Sequence, residues 1–81
     1  MGITSEKIEG TMIEVSIASS NLRSAKYDTS SENLLVEFNN GAIYEYTSVP
    51  WNIFTKFRMA ESQGRFFNTE ISKKYKYQKV S

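Results

Sequence analysis

The stretch from Leu34 to Tyr46 constrains this chain more than any other. Apolar side chains alternate with polar ones on either side of Asn39-Asn40-Gly41, the period of two that a half-buried strand requires, and Asn-Gly is a strong hairpin signal. The register follows from which residues can face a core. A two-residue turn at Asn40-Gly41 sets Phe38 against Ile43 and Val36 against Glu45, which puts a carboxylate opposite the buried side. A three-residue loop with a left-handed Gly41 in a bulge sets Ala42 against Phe38, Tyr44 against Val36 and Tyr46 against Leu34, all apolar. The other face then pairs Ile43 with Glu37 and Glu45 with Leu35, a mixture suited to solvent. The three-residue loop is therefore expected.

The remaining elements follow from the same periodicities. Residues 1–11 are polar, contain Gly2 and Gly10, and lack a clear period, so they read as a disordered leader ahead of a single domain over residues 12–81. From Met12, the apolar residues Ile13, Val15 and Ile17 alternate with Glu14 and Ser16, giving a first strand. Ser19-Ser20-Asn21 favours a turn, and a second strand spans about Leu22–Tyr27. The hairpin supplies two more strands, Leu34–Phe38 and Ala42–Thr47. Pro50 suits a first helical turn, and Ile53, Phe54 and Phe57 form a buried stripe in a helix from about Pro50 to Glu61, with Asn52, Lys56 and Arg58 towards water. Gly64 reads as a helix breaker, and Ser62 is placed to cap a second short helix through Arg65, Phe66 and Phe67 to about Asn68. Ile71 to Val80 is either a short edge strand or an extended arm. The fold class is α+β: an antiparallel meander of about four strands, two short helices on one face, and a short C-terminal strand as an option.

A chain of 81 residues without cysteine holds one small core and has no disulfide to support it. Its five Phe, five Tyr and one Trp must supply that support, so the aromatic rings are core residues first. The absence of both His and Cys removes thiolate nucleophiles, Ser-His-Asp triads and the usual zinc ligand sets. The acidic residues show no metal-loop spacing, and catalysis through Asp28 or Glu45 would need an imported metal or cofactor. A non-enzymatic domain with no cofactor and no metal is expected. No apolar run approaches the length of a membrane span, and the N-terminus lacks a signal-peptide pattern, so the cytoplasm is the default location and no membrane partner is expected.

Charge is unevenly placed. Residues 1–50 carry three basic and seven acidic residues, a net of −4, whereas residues 51–81 carry seven basic and two acidic, a net of +5. Lys73, Lys74, Lys76 and Lys79 interleave with Tyr75 and Tyr77, and Arg65 precedes them. This segment is the candidate surface for RNA or another single-stranded nucleic acid, lysines meeting phosphates and tyrosines meeting bases. The plainer alternative is a solvated edge whose lysines prevent aggregation. Trp51 lies off the buried stripe and is a candidate anchor for a host or neighbouring protein, or simply packs where sheet and helix meet. The register favours Tyr44 and Tyr46 as core residues over a base-stacking platform.

The ordered set Tyr27-Asp28, Leu34-x-Val36-x-Phe38, Asn40-Gly41, Tyr44-x-Tyr46, Val49-Pro50, Ala60-x-Ser62-x-Gly64, Phe67-Asn68, Ile71 and Tyr75 resembles the KTSC domain, a short domain named for its place at the C-terminus of some lysyl-tRNA synthetases. The resemblance spans roughly Val15 to Tyr77. It implies a fold more than an activity. It also implies a free-standing bacterial or phage protein, with RNA binding suggested by the synthetase association. An adaptor or inhibitor that binds another protein is the alternative.

Overall fold

Gly41 adopts a φ of +92°, a conformation open to glycine and strained for other residues. The Gly41 N–H donates to the Phe38 carbonyl at 2.9 Å and the Phe38 N–H to the Ala42 carbonyl at 2.9 Å, which closes the expected three-residue loop. The register is the expected one, with Tyr46 opposite Leu34, Tyr44 opposite Val36, and Ile43 opposite Glu37.

Residues 2–81 are described by the computed structural model. They form a single antiparallel sheet whose six strands follow chain order: β1 (Gly2–Glu9), β2 (Met12–Ala18), β3 (Leu22–Asp28), β4 (Leu34–Phe38), β5 (Ile43–Tyr46) and β6 (Tyr77–Lys79). Helix α1 (Trp51–Met59) and helix α2 (Gln63–Phe66), which continues through a π-helical turn over Phe67–Ile71, pack on one face. The α+β class is as expected, but the sheet has two strands more than the meander of four read from the sequence.

The first added strand corrects the reading of residues 1–11 as a disordered leader. Gly2–Glu9 pairs along β2, with Ile3 opposite Ile17, Glu6 opposite Val15 and Ile8 opposite Ile13. Two features hide this strand from a periodicity argument. The pairing shifts between Ile3 and Ser5, so the alternation changes phase at a bulge. Being at the sheet edge, β1 also keeps charged side chains, as edge strands commonly do. The second added strand, β6, settles the ambiguous C-terminal stretch: Tyr77 lies opposite Tyr46 and Lys79 opposite Tyr44.

Ile13, Val15, Leu22, Ala25, Tyr27, Leu34, Val36 and Tyr46 of the sheet meet Phe54, Phe57, Phe67 and Ile71 of the helices in one buried cluster. Aromatic packing dominates. Phe54 stacks on Tyr27 with centroids 4.5 Å apart and planes 10° from parallel, and the buried Tyr27 hydroxyl donates to the Val49 carbonyl at 2.6 Å. That bond ties β3 to the strand-to-helix junction. Among the described residues, the opposite face of the sheet bears no helix; Lys7, Glu14, Lys26, Leu35, Glu45 and Gln78 lie side by side across it.

Arg58 does not turn to water as the helical stripe suggested. It forms an ion pair with Glu6 of β1, and its guanidinium lies 5.2 Å from the centroids of both Trp51 and Phe54. With β1 absent from the expected fold, its partner was invisible. Ser62 caps α2 as anticipated, accepting from the Arg65 N–H at 3.2 Å. The buried Gln63 does what no sequence signal announced: its Nε2 donates to the carbonyls of Phe57, Arg58 and Ala60 at 3.2, 3.3 and 2.9 Å. These carbonyls end α1, where a helix leaves its acceptors without partners. Gly64 lies within α2 rather than between two helices, and a Cβ there would stand 2.7 Å from Asn21 Oδ1. It permits close approach of α2 to the Ser19–Asn21 turn.

Candidate functional site

The site is assembled by the way the chain leaves the π-helical turn. Ile71 is buried, and the N–H groups of Lys74 and Tyr75 donate back to its carbonyl at 3.1 and 3.3 Å, turning the chain towards β5. Tyr75 packs against the core. The Thr47 N–H then donates to the Lys76 carbonyl at 3.0 Å, and the Val80 N–H to the Ile43 carbonyl at 2.8 Å. Beyond Ile71, this segment is held mainly by main-chain bonds and the ring of Tyr75, which leaves its lysines at the surface.

Two neighbouring concavities result. The first is a shallow, open depression lined by Ser72, Lys73, Lys74, Tyr75, Lys76 and Tyr77. The second is a cleft of about 290 Å³ lined by Phe38, Asn40, Ala42, Tyr44, Tyr46, Ser72 and Tyr77. Ser72 and Tyr77 belong to both. Tyr77 is 57% exposed and Tyr46 only 4%, with Tyr44 between them. The centroid of Tyr77 lies 5.6 Å from that of Tyr44 and 5.3 Å from that of Tyr46, and Phe38 meets Tyr44 edge-on at 5.7 Å. Phe67, edge-on to Phe38 and Tyr46 at 5.6 and 5.3 Å, backs the group from the core. Burial first, and then the neighbouring phenols of Tyr77 and Tyr44, push the Tyr46 phenol up to about 12, so Tyr46 is a neutral floor to the cleft.

The residues singled out in the sequence thus divide. Lys73, Lys74, Tyr75, Lys76 and Tyr77 come together, and Lys79 stands opposite Tyr44 on the same side of the sheet. Lys74 also pairs with Glu70 at 3.1 Å, and the ring of Tyr75 is partly occupied by the core. Arg65 lines a different groove, between α1 and α2, with Ile53, Lys56 and Phe66. Trp51 lies at the start of α1, 46% exposed, with its ring 6.0 Å from Tyr27 and 6.2 Å from Phe54.

Tyr44 faces inward and packs against the core as the register suggested, but unlike Tyr46 it is only partly buried. It shares the inner face with Tyr46 but sits one pair nearer the hairpin loop, where cover gives out. Sequence reasoning also missed Phe38, Asn40 and Ser72. Distance along the hairpin from the helix-covered end was the available signal. Among the described residues, no group of three or more acidic side chains is placed to hold a metal ion, and no helix is long and apolar enough to cross a membrane.

A sequential six-stranded meander carrying two helical pieces on one face, with a lysine-flanked aromatic cleft at its C-terminal edge, defines a small α+β domain. The chain belongs to the KTSC domain family, whose sequence profile matches residues 18–75. An uncharacterised protein of Stutzerimonas stutzeri is 39% identical over 70 residues, covering 85% of this chain and 99% of its own length. The lysine–tRNA ligase of Trichormus variabilis is 32% identical over 60 residues, covering 74% of this chain but only 11% of the ligase. This chain thus spans about a tenth of the ligase it matches. The crystal structure of a KTSC domain protein from Yersinia pestis superposes with a TM-score of 0.79 at 32% identity, covering 86% of this chain and 99% of that one. The same small domain therefore occurs both nearly alone and as a short part of a much longer chain.

Proposed function

We propose that this domain is a non-catalytic module that binds single-stranded nucleic acid, RNA foremost, along the surface formed by residues 72–79 and β5. The observation that carries the reading is the adjacency of lysines and an exposed ring: Lys73, Lys74 and Lys76 share a depression with Tyr77, and Lys79 is in register with Tyr44. Single strands are held by cations that track the backbone and aromatic faces that receive bases. The acidic first part of the chain, net −4 over residues 1–50, opposes the long basic footprint that a duplex needs. The Trichormus variabilis relative is a lysine–tRNA ligase, which lends support to RNA.

The test is fluorescence anisotropy with a short labelled RNA, comparing the native protein with Lys73→Ala/Lys76→Ala/Lys79→Ala. These lysines are exposed, so the variant keeps its fold. Loss of three phosphate contacts flattens the dependence of log affinity on log salt by roughly 2, at about 0.7 per contact for single strands. An unchanged affinity and slope would remove the reading.

One observation favours a second reading, protein binding around Trp51 at the start of α1. Trp51 at 46% exposure and Ile8 at 68% are large apolar side chains open to solvent, and Trp is the type most enriched at interface centres. Nuclease-treated affinity capture that recovers one stoichiometric protein, and loses it with Trp51→Ala, would support this reading over the first.

A further inference from the structure

We infer that the cleft between the hairpin loop and Ser72 seats one unpaired nucleobase against the rings of Tyr77 and Tyr44, an inference that rests on the single-strand reading above. At about 290 Å³ the cleft lies at the lower limit of small-ligand pockets, which run from roughly 300 to 1,000 Å³. It suits one planar heterocycle and excludes a base pair. Its walls are aromatic: Tyr77 presents an exposed ring, Tyr44 a partly exposed one, and Phe38 and Tyr46 close the floor. A base in a duplex has both faces stacked, so only an unpaired one can offer a face to these rings.

Two polar side chains, Asn40 and Ser72, line the cleft beside the rings, and the bonds they already make fix what each can still do. Asn40 accepts the Ala42 N–H at 3.0 Å through Oδ1, which leaves its amide NH₂ to donate. The Ser72 hydroxyl donates to the Asn68 carbonyl at 3.1 Å, which leaves its oxygen to accept. One donor and one acceptor match the mixed edge that every nucleobase carries. Capture is therefore sequence-tolerant, as stacking generally is. Lys79, opposite Tyr44 in the register, and Lys76, beside Tyr77, supply the charge complement for the phosphates on either side of the seated nucleotide. The hairpin loop is itself fixed, because the Asn39 N–H donates to the Asn21 carbonyl at 2.9 Å and Asn39 Nδ2 to the Ser19 carbonyl at 3.0 Å. The cleft is preformed on a tethered loop.

The experiment compares one short single-stranded RNA with the same backbone bearing abasic sites, and repeats both with DNA, for the native protein, Tyr77→Ala and Tyr77→Phe. Tyr77 lies at an exposed edge, so neither substitution threatens the fold. The native protein is expected to bind the base-bearing strand roughly 5- to 150-fold more tightly than the abasic one. Tyr77→Ala collapses that ratio and Tyr77→Phe keeps it, in RNA and DNA alike, with the four homopolymers within about tenfold of one another. Equal binding of abasic and base-bearing strands by the native protein, or a ratio untouched by Tyr77→Ala, overturns the inference while the lysine-dependent reading stands. No binding of either strand overturns both.

Discussion

Replacing Gly64 by Ala sets two effects of opposite sign against each other. In a helix Ala is preferred to Gly by up to about 1 kcal/mol, so propensity alone predicts a stabilised protein. The Cβ, however, would stand 2.7 Å from Asn21 Oδ1 and 3.2 Å from Ser19 Oγ, and the first distance is too short to be tolerated without movement. The carboxamide of Asn21 is not loose, because the Ser19 hydroxyl donates to it at 2.9 Å and the neighbouring Asn21 carbonyl receives Asn39 at 2.9 Å. Overpacking of this kind costs about 1–3 kcal/mol. The net expectation is a destabilisation of up to roughly 2 kcal/mol, or a fall in Tm of up to about 15 °C for a domain of this size. Thermal unfolding followed by circular dichroism measures it, and Asn21→Ala provides the control. In that background the obstructing oxygen is gone, and Gly64→Ala becomes neutral or stabilising, so the coupling between the two sites is of the order of the whole effect. A stabilised Gly64→Ala protein with Asn21 intact would refute the close-approach argument.

Other outcomes follow from the same geometry. Tyr27→Phe removes the donor to the Val49 carbonyl at 2.6 Å and leaves a buried acceptor without a partner, a loss of about 1–3 kcal/mol measurable by urea unfolding. Alkali tests Tyr46, whose phenol is raised to about 12 against about 10 in an unfolded chain. A raised folded value means the stabilisation is complete below pH ~10 and disappears as pH climbs through 12, by roughly 3 kcal/mol in all. Burial, followed by Glu32 and Asp28, raises Tyr27 in the same sense. Melting temperatures between pH 9 and 11 should therefore fall, and fall less steeply in Tyr46→Phe.

The hairpin was legible because its two candidate registers differed by a buried carboxylate, and only one could be right. The helices were legible from a stripe and a cap, Phe54 with Phe57 and Ser62. Legibility failed where a residue's role depends on something distant in sequence. β1 lacks an apolar stripe because it is an edge strand with a bulge, so the partner of Arg58 could not be foreseen. The functions of Gln63 and Gly64 depend on the end of α1 and on the Ser19–Asn21 turn, neither of which leaves a local pattern. At the candidate site, the cluster of lysines with Tyr77 was readable as composition. The cleft was not, because alternation reports which face a ring occupies and not how far the helices extend over it, and that coverage is what separates Tyr44 from Tyr46.

Isotope-edited NMR tests the central claim most directly, by titrating a short single-stranded RNA into the labelled protein at low salt and following every backbone amide. Saturable shifts confined to Phe38–Tyr46 and Ser72–Val80, reversed by added salt, are the predicted result. Shifts centred on Trp51 and Ile8, or on the helix-free face around Glu14 and Lys26, with residues 72–80 unmoved, would contradict it.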